Sequence, residues 1–288
     1  MGDAMQIRKL AYALGAEVVG VDITRPLDAE TVSAIRAAWM DNLVLLIRGQ
    51  VLTAEQHVAF SRYFGELEIH PNRYNRRADY PELYIVTNKM VEGKPSDTRN
   101  VGRTWHSDGI YRLQPYLGSL LYSHEIPPVG GNTLFTNMYM AYETLSPKLR
   151  EVLDQLYCIN DRSAAENHSN VPAAHLEERF KLTPPVINPV VRVHPETGRK
   201  SLYVAPNVTT CFEGMTPEES RPLLQFLFEH SVKQEFIFRH NWQVHDLLMW
   251  DNRCTMHLAP PDFDLGEPRY MERTTVTGTP LGRLLEAS

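Results

Sequence analysis

The chain has 288 residues, 22% of them charged, and a formal net charge of −6. That length can bury a full core, and because no linker interrupts it, one domain over residues 1–288 is expected. Charge is spread without long blocks of either sign, which argues against a nucleic-acid partner, and no run of eighteen apolar residues argues for a membrane span. The first fifteen residues, "MGDAMQIRKLAYALG", lack the apolar core of a secretory signal, so a cytoplasmic place is expected. Cys158, Cys211 and Cys254 lie far apart with no Cys-x-x-Cys pair, which predicts reduced core thiols rather than a zinc knuckle or a disulfide framework.

In chain order, "AEVVGVD" (16–22) reads as a strand, and "DAETVSAIRAAWMD" (28–41) as an amphipathic helix capped by Asp28. "LVLLIRG" (43–49) reads as a buried strand, and "TAEQHVAFSRYFG" as a helix opened by Thr53 and ended by Gly65. Beyond about residue 82 the texture changes to short apolar runs broken by Pro, Gly and Asn: "ELYIVTN", "LGSLLYSHEI", "NTLFTN", "PVVRVHPETGRKSLYV", "HDLLMWDN" and "RYMERTTVTG". This is the punctuation of an all-β region. Two helical insertions are predicted within it, over 139–157 and 217–234. The expected architecture is mainly β with helical decorations, a double-sheet sandwich or barrel with a mouth able to hold a ligand.

Three of the eleven histidines precede a carboxylate by two residues. His194, in "HPETG", belongs to a hairpin turn that predicts a solvent-facing Glu196, and His175, in "AAHLEERF", sits in a helix-like stretch where residues two apart do not share a face. Only His106 and Asp108, in "TWHSDGIYR", have strand spacing, which points both side chains the same way. His257, in "MWDNRCTMHLA", supplies a third candidate ligand. Two imidazoles and a carboxylate leave coordination positions open, as suits non-haem iron(II), though the same ligands also hold zinc.

Arg269 and Arg273, in "PRYMERTTVTG", fall four residues apart on one face of an apparent strand. Two guanidiniums aimed into a barrel require anionic partners, and a dicarboxylate matches their planar forks. Thr133, after the Gly-Gly turn of "PPVGGNTLF", offers a hydroxyl donor.

Taken together, "WHSD", "PPVGGNTLFTNMYMAYETLSP", "HPETGRKSLYV", "WDNRCTMH" and "RYMERTTVTG" resemble the taurine dioxygenase family of iron(II)- and 2-oxoglutarate-dependent oxygenases, which includes phenoxyalkanoate and alkylsulfate dioxygenases. The resemblance implies a double-stranded β-helix, or jelly roll, with His106, Asp108 and His257 as iron ligands and Thr133 with Arg269 on the distal carboxylate of 2-oxoglutarate. It places Arg273 near the other carboxylate of 2-oxoglutarate or the acidic group of the substrate, and His70 on the substrate. The implied cofactors are Fe(II), 2-oxoglutarate and O2; the implied reaction hydroxylates a C–H bond, with C–X cleavage when a heteroatom adjoins it, and releases succinate and carbon dioxide.

The chain departs from taurine enzymes at Gly102, Arg73, Ala205 and Val208, where those enzymes carry other side chains. The expectation is a bulkier anionic small molecule, such as a carboxylate, sulfonate or sulfate ester, met by His70 and Arg73. A homo-oligomer, dimer or tetramer, is also expected. The rival readings are desaturation or another oxidation with the same cofactors, a zinc hydrolase on the same ligands, and a non-catalytic jelly-roll binding protein.

Overall fold

The structure is a computed structural model that describes residues 5–70, 75–91, 94–96, 98, 102–164 and 183–285. Two antiparallel-rich sheets face each other. The larger has seven strands, in the order Gln6–Lys9, Ala16–Val19, Val44–Ile47, Leu247–Asp251, Tyr116–Glu125, Tyr270–Thr277 and Tyr84–Thr87. The smaller has Ile237–His240, Thr133–Asn137 and Thr255–Leu258. Side chains between them, including Leu46, Leu121, Leu248, Trp250 and Met271 from one sheet and Phe135 and Phe238 from the other, form a common core. This is the jelly roll expected of the sequence.

The opening segment is a βαβ unit, as predicted. Ala16–Val19 runs parallel to Val44–Ile47, joined through the helix Ala29–Asn42, which Asp28 caps by accepting from the Thr31 N–H at 2.7 Å. The next helix, Ala54–Arg62, starts in a capping box between Thr53 and Gln56. Both helices cover the outer face of the large sheet, where strand alternation delivers Leu120, Tyr122, Leu247 and Met249 to meet Ile35, Trp39 and Phe60. Gly118 makes this packing possible, because a Cβ there would lie 2.5 Å from the Trp39 ring.

Two predicted elements differ. Residues 139–157 form not one helix but two short ones, Met138–Glu143 and Pro147–Leu153, followed by the strand Tyr157–Asn160. Pro147 lacks the N–H a continuous helix needs and holds Ser146 extended, and Ser146 restarts the helix as its cap. The stretch 104–112 is not a strand. His106 makes a single bridge to His257, and the chain then turns at Gly109, whose φ is 73°. The helix predicted over 217–234 spans Pro217–Ser231, and the His194 hairpin joins Val191–Val193 to Lys200–Leu202. All three cysteines are free and buried. Among the described residues, no helix is long and apolar enough to cross a membrane.

Candidate active site

At one end of the sheet pair, a cavity opens between the strands. The large sheet lines it with Tyr84, Val86, Leu121, Trp250 and Arg273, and the small sheet with Thr133 and His257. The segment 102–106 closes one side, pinned to the strand of His257 by reciprocal backbone bonds. His106 and His257 exchange N–H···O bonds of 3.1 and 2.8 Å, and Ala259 donates to the Gly102 carbonyl at 2.7 Å.

His106, Asp108 and His257 converge there, each offering a ligand atom within 4.8 Å of the others. His106 Nε2 lies 3.7 Å from Asp108 Oδ1, and His257 Nε2 lies 3.9 Å from Asp108 Oδ2. The His106 Nδ1 contact at 2.8 Å is with the Thr104 carbonyl, which can only accept. Nδ1 therefore carries the proton of the neutral ring, and Nε2 turns a lone pair toward the carboxylate. Burial, and then the neighbouring His106, push the proton affinity of His257 well below that of a free imidazole, leaving it neutral, and its buried Nδ1 has no hydrogen-bond partner. Burial raises the Asp108 pKa, but Arg273, the two imidazoles and the Ser119 hydroxyl together hold the carboxyl well below its usual range. Two imidazoles able to offer Nε2 and an ionised carboxylate, all within 4.8 Å of one another, make a donor set that fits a divalent metal.

Several neighbours orient Asp108. The Ser119 hydroxyl donates to Oδ2 at 2.8 Å, and Asn252 donates to Ser119 at 3.0 Å while its Oδ1 accepts from Trp250 Nε1 at 2.9 Å. Ser107 ties the same loop to the Asn252 carbonyl at 2.6 Å. Sequence reasoning missed Ser119 and Asn252. Their signal was a polar residue at an inward position of the apolar run "LGSLLYSHE", and the asparagine of "WDN".

Arg269 and Arg273 both reach the cavity but do different things. Arg273 donates to Asp108 Oδ2 at 2.8 Å and lies 5.4 Å from the Tyr84 ring centroid. Arg269, 8% exposed, donates through Nε to the Gly131 carbonyl at 3.3 Å and has no ion-pair partner among the described residues. Burial lowers its pKa to about 10, partly offset by the charge of Asp262, so it stays a cation facing the cavity. Thr133 Oγ1 accepts from Trp242 Nε1 at 3.0 Å, which leaves its own proton to donate. A buried guanidinium lacking a carboxylate, beside a hydroxyl with a spare proton, fits the far carboxylate of a dicarboxylate.

Of the expected substrate residues, Arg273 lines the cavity and His70 does not. His70 is half-buried and packs its ring on that of Tyr84, a cavity-lining residue, with the centroids 4.2 Å apart, and Arg73 lies outside the described residues. Val208 and Ala205 do not shape the cavity. Both belong to a core cluster with Ile110, Tyr203 and Phe212, so the widening expected from Val208 does not follow. Gly102 does line the cavity.

The other His-x-carboxylate pairs separate as well. His194 is buried, but its Nδ1 accepts from the backbone N–H groups of Glu196 and Thr197, and its Nε2 donates to Asp251 at 3.0 Å, which leaves no nitrogen for a metal. Glu196 is exposed at the hairpin tip, as expected, and pairs there with Arg253 and Arg36 at 2.7 and 2.8 Å. His175 lies outside the described residues.

Known proteins share this arrangement of sheets along nearly its whole length. The sequence profile of the family described as "Taurine catabolism dioxygenase TauD, TfdA family" matches residues 6–275. The α-ketoglutarate-dependent 2,4-dichlorophenoxyacetate dioxygenase of Cupriavidus pinatubonensis is 34% identical over 278 residues, 92% of this chain and 94% of that one. A taurine dioxygenase from Burkholderia xenovorans superposes with a TM-score of 0.83 at 38% identity, covering 99% of this chain and 95% of the other. The crystal structure of AAD-2 in complex with Mn(II) and N-oxalylglycine gives a TM-score of 0.84 at 32% identity, covering 99% and 100%. On this continuous match of sequence and fold, the chain belongs to the taurine catabolism dioxygenase TauD, TfdA family.

Proposed function

We propose that His106, Asp108 and His257 hold iron(II), that Arg269 and Thr133 hold the distal carboxylate of 2-oxoglutarate, and that the remaining cavity presents a small anionic organic substrate to the metal, all within one domain over 1–288. The chain is a 2-oxoglutarate-dependent non-haem iron(II) dioxygenase. Iron(II) with 2-oxoglutarate and dioxygen supplies the oxidising power for C–H hydroxylation, with succinate and carbon dioxide as co-products.

The observation that carries the residue assignment is the pairing of two unlike sites on one cavity: three side chains whose ligand atoms lie within 4.8 Å of one another, and a buried guanidinium with no ion-pair partner among the described residues. A metal answers the first and a dicarboxylate the second. A zinc hydrolase would use the cluster and leave Arg269 unexplained.

The chain's own groups position rather than react. Asp108 stays ionised because Arg273 and Ser119 donate to it, and His257 stays neutral because it is buried, so both keep their lone pairs at neutral pH. Val86, Leu121 and Phe263 give the cavity apolar walls. An anionic substrate is supported by the excess of cavity arginine over carboxylate and by the acid that the 2,4-dichlorophenoxyacetate dioxygenase is named for.

Anaerobic titration of the iron(II) protein with 2-oxoglutarate tests the assignment. A visible charge-transfer band is expected in the wild type and not in His257→Ala. No band in the wild type refutes the reading.

A further inference from the structure

We propose that Arg103 is the substrate-recognition residue of this cavity, binding the anionic head of the primary substrate while the apolar wall takes its body. This rests on the iron and 2-oxoglutarate assignment above and adds to it a cation that neither the ligand cluster nor the co-substrate anchor employs.

Three cavity-lining arginines are present, Arg103, Arg269 and Arg273. Arg273 belongs to the ligand cluster, donating through Nη1 to Asp108 at 2.8 Å, with its buried Nε unpartnered among the described residues. Arg269 sits deep, tied to the Gly131 carbonyl, beside the Thr133 hydroxyl that completes the dicarboxylate anchor. Arg103 is half-buried, and among the described residues it makes no hydrogen bond or ion pair. A half-buried guanidinium on a cavity wall with no protein anion is incompletely solvated, and an anionic ligand relieves that cost.

Its location suits the task. Arg103 follows Gly102, and a Cβ on Gly102 would lie 3.5 Å from His106 Cε1, so the Arg103 backbone is one residue from the ligand ring. That backbone is fixed by the Ala259 N–H bond to the Gly102 carbonyl at 2.7 Å and by the His106–His257 bridge. A ligand held there pays little to order the loop. Val86, Leu121 and Phe263 line the same cavity and offer an apolar surface for an alkyl or aromatic body. The substrate class this selects is an amphiphilic organic acid, with a carboxylate, sulfonate or sulfate at one end and an apolar group at the other. His70, by contrast, packs on Tyr84 and is not among the cavity-lining residues.

The experiment uses two acid and neutral pairs as probes, 2,4-dichlorophenoxyacetate with its primary amide and hexanesulfonate with hexanesulfonamide. Binding is followed anaerobically through the perturbation each causes in the charge-transfer band of the iron(II)–2-oxoglutarate protein. Wild type is expected to bind at least one acid more tightly than its neutral partner. Arg103→Gln is expected to weaken that acid about 10- to 100-fold without weakening the neutral compound, as for loss of a charge-assisted hydrogen bond, and Arg103→Lys to restore part of the difference. Three results overturn the proposal: no acid preference in wild type for either pair, an acid preference that survives Arg103→Gln, or a loss that falls on 2-oxoglutarate affinity. Absence of the charge-transfer band from wild type instead refutes the iron and 2-oxoglutarate assignment, so the two failures are separable.

Discussion

Arg273 Nη1 and Asp108 Oδ2 lie 2.8 Å apart, joining the strand Tyr270–Thr277 to the turn after His106. The guanidinium holds Oδ2, which orients the carboxylate with Oδ1 toward His106 and Oδ2 toward His257, and it helps keep the carboxyl ionised. Partners that orient a ligand carboxylate typically change metal affinity by about 10- to 100-fold. Arg273→Ala is therefore expected to weaken iron(II) binding by that factor with the fold intact, and Arg273→Lys to recover part of it. Unchanged affinity by calorimetric or chelator-competition titration would show that Asp108 is oriented without Arg273.

His106→Ala, Asp108→Ala and His257→Ala should each abolish iron-dependent turnover while leaving the circular dichroism spectrum of wild type. His194→Ala should do the reverse. Both its nitrogens serve the hairpin and Asp251, so the variant keeps its iron and loses about 1–3 kcal/mol of stability through unpaired buried groups. Iron content per chain and urea unfolding separate the two behaviours, and iron loss in His194→Ala would assign that histidine a role its hydrogen bonds deny.

The hairpin turn of "HPETG" was legible in the sequence, whereas the strand read into "WHSD" is a single bridge followed by a turn. Six of the seven large-sheet strands were legible too, from apolar runs bracketed by turn residues, while the polar Gln6–Lys9 was not read as a strand. What could not be read were partnerships across the barrel. Asp108 meets Arg273 and Thr133 meets Trp242 only after distant strands assemble, and no local pattern encodes them. Val208 misled for the same reason: its neighbours in space, Ile110 and Tyr203, place it in the core, whereas its place in the sequence pointed to the pocket. The break at Pro147 was written in the chain and outweighed by the helical periodicity on both sides of it.

Arg269→Ala should raise the 2-oxoglutarate dissociation constant far more than Thr133→Ala. The first removes the buried cation at the far end of the co-substrate, a change of about 2–5 kcal/mol. The second removes one hydroxyl bond, about 1 kcal/mol, and leaves Trp242 Nε1 without its acceptor. Anaerobic titration through the charge-transfer band measures both, and equal losses would show that the anchor is not centred on Arg269.

A pH-dependent contribution to stability is expected from His57, on the helix Ala54–Arg62 against the outer face of the large sheet. It is 1% exposed, its Nδ1 has no partner, and its Nε2 lies 3.5 Å from Thr274 Oγ1. Burial disfavours the charged ring more than the carboxylate of Glu272 favours it, so the pKa falls from 6.5 to about 4. The unfolded chain therefore binds a proton at a higher pH than the folded one. Stability from the neutral ring is fully present above about pH 6.5 and is lost progressively as the pH falls toward about 4. At about pH 5 the loss amounts to roughly 2 kcal/mol relative to neutral pH. His57→Gln, which cannot titrate, should show a shallower decline over this window than wild type when urea unfolding is compared at about pH 7.5 and about pH 5, even if its stability at the higher pH is lower. Parallel declines in the two proteins would mean that His57 titrates normally in the folded state and that the acid sensitivity of the domain lies elsewhere.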